Sequence, residues 1–231
     1  MKNTIKIFAA AMMIVATSFV SEKASAKYRT ENAVSSFYNI NVKDNIDVEI
    51  RQGETQGLVI ESSEPASELV KTEIKDGTLY IFSAENRSSG EKAKVIVTTP
   101  EIQAIVMDGS GNVTSTDLLD IDYLKLTLSG TGNISLDVRG LEVDVEISGS
   151  GKVCLNGNAA SSKIEISGSG HVDAENLKTF SSRIFISGHG STSVCSDDLT
   201  IEISGSGKVR YHENPSHLDV NITGSGSVKK I

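Results

Sequence analysis

The sequence predicts an all-β protein: a parallel β-helix or β-solenoid of coils about 19–20 residues long with Gly-Ser-Gly corners, preceded by a β-rich N-terminal section. Three observations carry this. First, a Gly-x-Gly phrase recurs seven times, beginning at Gly109, Gly130, Gly149, Gly168, Gly188, Gly205 and Gly224, at intervals of 17 to 21 residues. A nearly fixed period of this size marks stacked repeat architectures. Second, apolar and polar residues alternate before and after nearly every copy, the period of a half-buried strand, and no long helical period occurs. Third, the aligned positions keep their chemistry. The residue ahead of the first glycine runs Asp108, Ser129, Ser148, Ser167, Ser187, Ser204, Thr223, and the middle residue runs Ser110, Thr131, Ser150, Ser169, His189, Ser206, Ser225. A string of hairpins in a meander or sandwich also fits the local pattern. Hairpins would not demand the same residue type in both columns, whereas stacked coils would: small residues let corners superimpose, and stacked hydroxyls can bond along the axis. The strand-crossover preference makes the expected solenoid right-handed.

Taken in order, the chain opens with the pattern of a secretory signal over residues 1–26. Lys2 and Lys6 give the positive start, Ile7 to Val20 is an apolar run, and Ala24-Ser25-Ala26 is a small-residue cleavage site. The run is short for a membrane span, which needs about 18 or more apolar residues. No cysteine lies near Lys27, so the expected product is a soluble exported chain without a lipid anchor, in the periplasm, at the cell surface or secreted. Residues 1–26 carry three lysines and one glutamate, so their removal takes the net charge from −8 to −10. Such acidity disfavours nucleic acid and anionic membrane as partners, because phosphate binding needs clustered Lys and Arg.

Residues 27–106 form the β-rich N-terminal section of the same domain. Ile46 to Ile50 alternates strictly, Leu58 to Glu61 is a further strand, and Ala66 to Val70 is assigned one helical turn after Pro65. Asp76-Gly77 stands between Glu73-Ile74 and Leu79-Tyr80-Ile81, a strong hairpin signal because both turn positions need positive φ. Ala84 to Lys92 reads as a polar loop, Lys94 to Val97 as the next strand.

Residues 107–231 form the repeat solenoid, each unit a strand, a corner, a strand and a variable connector. The structural corners are the seven first glycines and their partners Gly111, Gly132, Gly151, Gly170, Gly190, Gly207 and Gly226. The two cysteines, Cys154 and Cys195, sit two repeats apart, about 9–10 Å at the spacing of stacked strands. A disulfide needs Cα atoms within about 7 Å, so two unpaired thiols are expected. The chain's other end, Ser227 to Ile231, follows directly on a glycine phrase. Lys229 and Lys230 read there as edge protection, or the edge meets a second copy.

Phrases such as Gly109-Ser110-Gly111-Asn112-Val113, Gly130-Thr131-Gly132-Asn133-Ile134 and Gly205-Ser206-Gly207-Lys208-Val209, preceded by Asp76-Gly77-Thr78-Leu79 and Val97-Thr98-Thr99-Pro100, resemble an exported Bacteroidetes family known as the putative autotransporter adhesin, head GIN domain. The resemblance covers about residues 35–228 and implies an exported β-helix-like fold with an adhesin role. Gly188-His189-Gly190 and the 17-residue interval after it depart from the pattern. The resemblance brings no catalytic residues.

No catalytic, cofactor-binding or metal site is predicted. Four surface positions stand out. Glu146 and Glu165 share a column with Glu202 and Asn221 ahead of the glycine phrase, about 4.8 Å apart in stacked coils. They could act as an acid–base pair or hold a cation, or be solvated carboxylates neutralised by Lys163 and Arg183; exposed charges at this spacing interact weakly, which favours the latter. His171 and His189 lie near corners of neighbouring coils without further zinc ligands. Aspartates cluster only in connectors, where turns favour them. The function expected is a non-enzymatic adhesin or interaction module contacting glycan or surface protein. The alternatives are a carbohydrate-active β-helix enzyme using Glu146 and Glu165, or an envelope protein that self-assembles through its C-terminal edge.

Overall fold

A strand of alternating apolar and polar residues has one dry side, and stacking such strands in register keeps all the dry sides together. The computed structural model describes residues 28–32, 34–62, 69–84 and 93–231 and shows this arrangement as a β-solenoid. Two flanks of parallel strands meet at the Gly-x-Gly corner. The leading flank, ahead of the corner, stacks β6 (Thr78–Ser83), β2 (Asn39–Asp44) and β8 (Ala104–Gly109). It continues through the second halves of β9 (Asn112–Leu128), β10 (Asn133–Ile147), β11 (Lys152–Ile166), β12 (His171–Ile186) and β13 (Ser191–Gly205) to β15 (His217–Gly224). The trailing flank stacks β7 (Ala93–Thr99), β3 (Asp47–Gln52), the first halves of β9 to β13, then β14 (Lys208–His212) and β16 (Ser227–Lys230).

The variable connectors expected between units are absent as separate elements: β9 to β13 run through the second bend as single strands. Even so, that bend absorbs the irregular spacing. Asn112 pairs with Asn133, 21 residues on, but Leu118 pairs with Asp137, 19 on, so β9 sheds two residues just after Ser115. Ala174 pairs with Val194 and Lys178 with Cys195, leaving Glu175, Asn176 and Leu177 bulged from β12. The 17-residue interval therefore reflects residues missing from the second bend of β13. The corner cannot absorb such changes. A Cβ added at Gly149 would lie 2.1 Å from the Gly130 carbonyl oxygen, and one at Gly170 would lie 2.5 Å from Ile147 Cγ2. Close approach thus dictates glycine at most corners; only Gly205 and Gly224 also adopt positive φ.

The stacked corners are tied by the backbone, which corrects the expectation of hydroxyl ladders. Ser150 N–H donates to Gly130 O at 3.1 Å, Ser169 N–H to Gly149 O at 3.1 Å and His189 N–H to Gly168 O at 3.0 Å. Among the described residues the corner hydroxyls do not bond to one another. The physical reason is economy: amides 4.8 Å apart already form the ladder, roughly, and the serines are left to fit the space. A true hydroxyl pair lies inside the coil instead, Ser162 Oγ to Ser182 Oγ at 2.8 Å.

Inward columns fill the interior, for example Leu126, Val145, Ile164, Ile184 and Ile201, all buried. β-Branched residues suit this role because they pack well on a pleated surface. At the N-terminal end the stack is closed by antiparallel strands. β5 (Val70–Lys75) pairs with β6 through the Asp76-Gly77 turn, where φ is 51° and 72°, and β4 (Gly57–Ser62) pairs with β7 on one side and β1 (Tyr28–Asn32) on the other. Most of the Ala66–Val70 turn, nearly all of the 84–92 loop and the whole of residues 1–26 lie outside the described residues. At the other end Leu218, Val220 and Ile222, in register with buried Leu199, Ile201 and Ile203, are 38–40% exposed. Lys230, in register with Tyr211, bonds Asn214 Oδ1.

Glu49 on β3 is buried and held by two cations, Lys94 and Arg51, the latter with Nε at 2.7 Å. The Lys94 hydrogen bond outweighs desolvation and, with Arg51, lowers its pKa below the ordinary carboxylate value. A depressed folded-state pKa adds stability that is present above the unfolded pKa and lost as pH falls through the folded one. Both cations are half in water, so the contribution is on the order of 1 kcal/mol. Urea titrations from neutral pH to below pH ~4 are expected to show the native chain losing more stability than Glu49→Gln; parallel losses would remove this contribution.

Candidate binding groove

Three features of the repeat put a groove on the leading flank. From the third corner on, the last outward residue is Glu, Phe or Asn, the next outward position is serine or threonine, and glycine follows. A column of long side chains therefore stands beside a recessed column. The structure shows a groove of about 480 Å³ there, lined by Thr127, Glu146, Glu165, Phe185, Glu202 and Asn221 together with Ser148, Ser167, Ser187 and Ser204. Strand register makes the first six one continuous column.

Glu146 and Glu165 are direct neighbours in this column. Lys125 Nζ lies 2.7 Å from Glu146 Oε1, and Lys163 Nζ lies 2.7 Å from Glu165 Oε1. Each carboxylate, through that hydrogen bond, raises the pKa of its lysine. Lys163 thus neutralises Glu165 within its own coil; Arg183 forms no ion pair among the described residues, and Lys125 serves Glu146 instead. Outside this lining, on β9, the Tyr123 hydroxyl donates to Asp144 Oδ2 at 3.1 Å; burial first and then Asp144 raise its pKa.

Phe185 is the residue that the sequence pattern did not single out. It lies between Glu165 and Glu202 in register, half-buried. Its offset from Gly188 equals that of Glu165 from Gly168, so alignment on the glycine phrase would have found it. The groove's centre is thus an aromatic ring with a carboxylate on either side, and Glu202 has no ion pair among the described residues. Such a surface can stack against an apolar ring face while accepting hydrogen bonds from hydroxyl groups at the ring's edge. Glycoside hydrolysis asks for carboxyl groups flanking the scissile bond. Glu146 and Glu165 instead stand side by side on one wall.

The other singled-out residues do not join this groove. His171 begins β12 on the trailing flank, with Nδ1 at 2.8 Å from Ser191 Oγ. His189 is exposed at its corner, stacked over Ser169. Among the described residues no group of His, Cys, Asp and Glu has the placement to hold a metal ion. Cys154 and Cys195 are free, and they occupy different columns: Cys154 pairs in register with Asp173, Cys195 with His212. Burial first, and then Asp173 for Cys154 and Glu213 for Cys195, raise the pKa of the two thiols. No helix of the described residues is long and apolar enough to cross a membrane.

The fold is shared with solved structures. A putative adhesin from Bacteroides fragilis superposes with a TM-score of 0.82 at 21% identity, over 90% of this chain and 98% of that one. A putative lipid binding protein from Parabacteroides distasonis gives 0.71 at 20%, over 89% and 96%, and a putative adhesin from Parabacteroides merdae 0.72 at 20%, over 89% and 96%. No curated protein matches the sequence. The sequence profile of one family matches residues 36–215, most of the chain. The chain therefore belongs to the family described as putative auto-transporter adhesin, head GIN domain.

Proposed function

We propose that this chain is an exported, non-enzymatic interaction module of the cell envelope or surface that holds a glycan chain along the leading-flank groove. The observation that carries the reading is Phe185 set between Glu165 and Glu202 in a straight column beside a row of serines. The adhesin label of its family and of two structural neighbours supports it. A repeating wall of acceptors at strand spacing suits an extended ligand with repeating hydroxyl groups, held by many weak contacts.

The alternative, a carbohydrate-active enzyme, has one feature in its favour, the adjacent Glu146 and Glu165. Their ammonium partners and their shared wall favour a binding surface. A glycan array probed with residues 27–231, followed by reducing-sugar assays on each glycan bound, tests both readings. Binding without sugar release is expected. Sugar release that disappears in a Glu146→Gln/Glu165→Gln variant would replace the binding reading with the enzymatic one.

A further inference from the structure

The net charge of −8 conceals a local reversal of sign. On the trailing flank of the last two coils the outward positions of β14 and β16 are Lys208, Arg210, Ser227 and Lys229, all exposed. Arg210 and Lys229 are register partners, so their backbones lie about 4.8 Å apart, and Lys208 is two residues earlier, roughly 6.6 Å along the same face. None of the three cations has an ion pair among the described residues. Arg210 Nε reaches only Ser193 Oγ, at 3.2 Å. The carboxylates on this part of the flank are already engaged: Asp173 with Lys152 at 3.5 Å and Glu175 with His212 at 3.3 Å. Burial first, then Lys152, depress the pKa of His171, and Arg210 pushes in the same direction, against Asp173.

We infer that Lys208, Arg210 and Lys229 form a second binding surface, for an acidic polysaccharide whose carboxylate or sulfate groups bridge the last two coils. Arginine and lysine side by side favour oxyanions, the guanidinium in a two-pronged mode. Exposed Ser227, the register partner of Lys208 and two residues before Lys229, adds a hydroxyl for the neutral hydroxyls of a sugar chain. A nucleic acid duplex or a bilayer is a poorer fit. Either is a broad anionic surface, and the rest of this molecule is acidic and would repel it. A narrow chain with separated charges can meet three cations without pressing against that remainder. The surface lies on the opposite flank from the Phe185 groove and does not rest on the reading given to that groove.

Calorimetric titration of residues 27–231 with an oligogalacturonate and with a heparin oligosaccharide tests this, alongside the methyl-esterified galacturonate, phosphatidylglycerol vesicles and a single-stranded oligonucleotide. At least one acidic oligosaccharide is expected to bind, to weaken about tenfold or more as salt rises to physiological strength, and to lose about tenfold or more in Lys208→Gln/Arg210→Gln/Lys229→Gln. The uncharged ester should not bind, Phe185→Ala should bind the acidic chain as the native protein does, and the His171 ring resonances should move during the titration. An unchanged melting curve shows that the triple variant is folded. Failure of both acidic oligosaccharides to bind, binding unchanged in the triple variant, or equal binding of vesicles or oligonucleotide would overturn the inference.

Discussion

Gly130→Ala is expected to destabilise the protein by about 3 kcal/mol or more. The backbone dihedral is not the cause, since Gly130 does not adopt positive φ. A Cβ there would lie 1.9 Å from the Gly109 carbonyl oxygen and 2.8 Å from its carbonyl carbon and nitrogen. All three are backbone atoms of the coil beneath, so no side chain can rotate away. Relief requires the coils to separate at the corner, where Thr131 N–H and Gly132 N–H both donate to Gly109 O at 3.0 and 3.1 Å. Lost hydrogen bonds, at about 1 kcal/mol each, then add to the overpacking cost of roughly 1–3 kcal/mol. Ser150→Ala, one corner on, removes a hydroxyl that bonds to no other corner and should stay within about 0.5 kcal/mol. Urea unfolding of the two variants separates close stacking from hydroxyl bonding as the reason for the Gly-Ser-Gly phrase. A loss at Ser150 comparable to that at Gly130 would reverse the assignment.

Ile164→Ala is expected to cost about 2–5 kcal/mol, the range for deleting a large buried aliphatic side chain whose surroundings relax only in part. Ile164 is fully buried on β11, in register with Val145 below and Ile184 above. Each coil of a solenoid touches only its neighbours, so a cavity at this position weakens two interfaces at once. Leu218→Ala is the control. It lies in register with buried Leu199 but is 40% exposed in the last coil, and the loss there should be about 1 kcal/mol or less. Denaturant midpoints measure both. Equal losses at the two positions would mean that the central coils are no better packed than the last.

The stacking was legible because two local rules reinforce each other. Alternation fixes which side chains are buried, and the glycine phrase fixes where each coil begins, so residues such as Val153 and Val172 could be placed above one another from spacing alone. The Asp76-Gly77 hairpin was legible for a similar reason, since both positions need positive φ and few residues tolerate it. What stacks on the N-terminal end was not. The antiparallel closure by β4 and β5 depends on which strand finds which edge, and no local period encodes that.

The candidate site was half legible. Glu146 and Glu165 were placed in one column, and they are neighbours. Phe185 escaped because Ile184-Phe185-Ile186 reads as a uniformly apolar strand, although parity turns its middle residue outward. The cations at Lys208, Arg210 and Lys229 escaped because net charge averages over the whole surface, while a solenoid sorts residues into columns and flanks. Hydroxyl ladders were inferred from repeated serines when the bonds run through the amides of those same residues; the repetition was real and its cause was the space beside glycine.

The reading of the leading flank as a glycan-binding groove turns on Phe185. The most direct measurement is calorimetric titration of residues 27–231, native and Phe185→Ala, with the neutral glycan that binds best on an array. The ring supplies the stacking face, worth about 1–2 kcal/mol, so affinity is predicted to fall about 5- to 30-fold in the variant while the melting temperature stays unchanged. Equal affinity in the two proteins, or no neutral glycan bound at millimolar concentration, would contradict it.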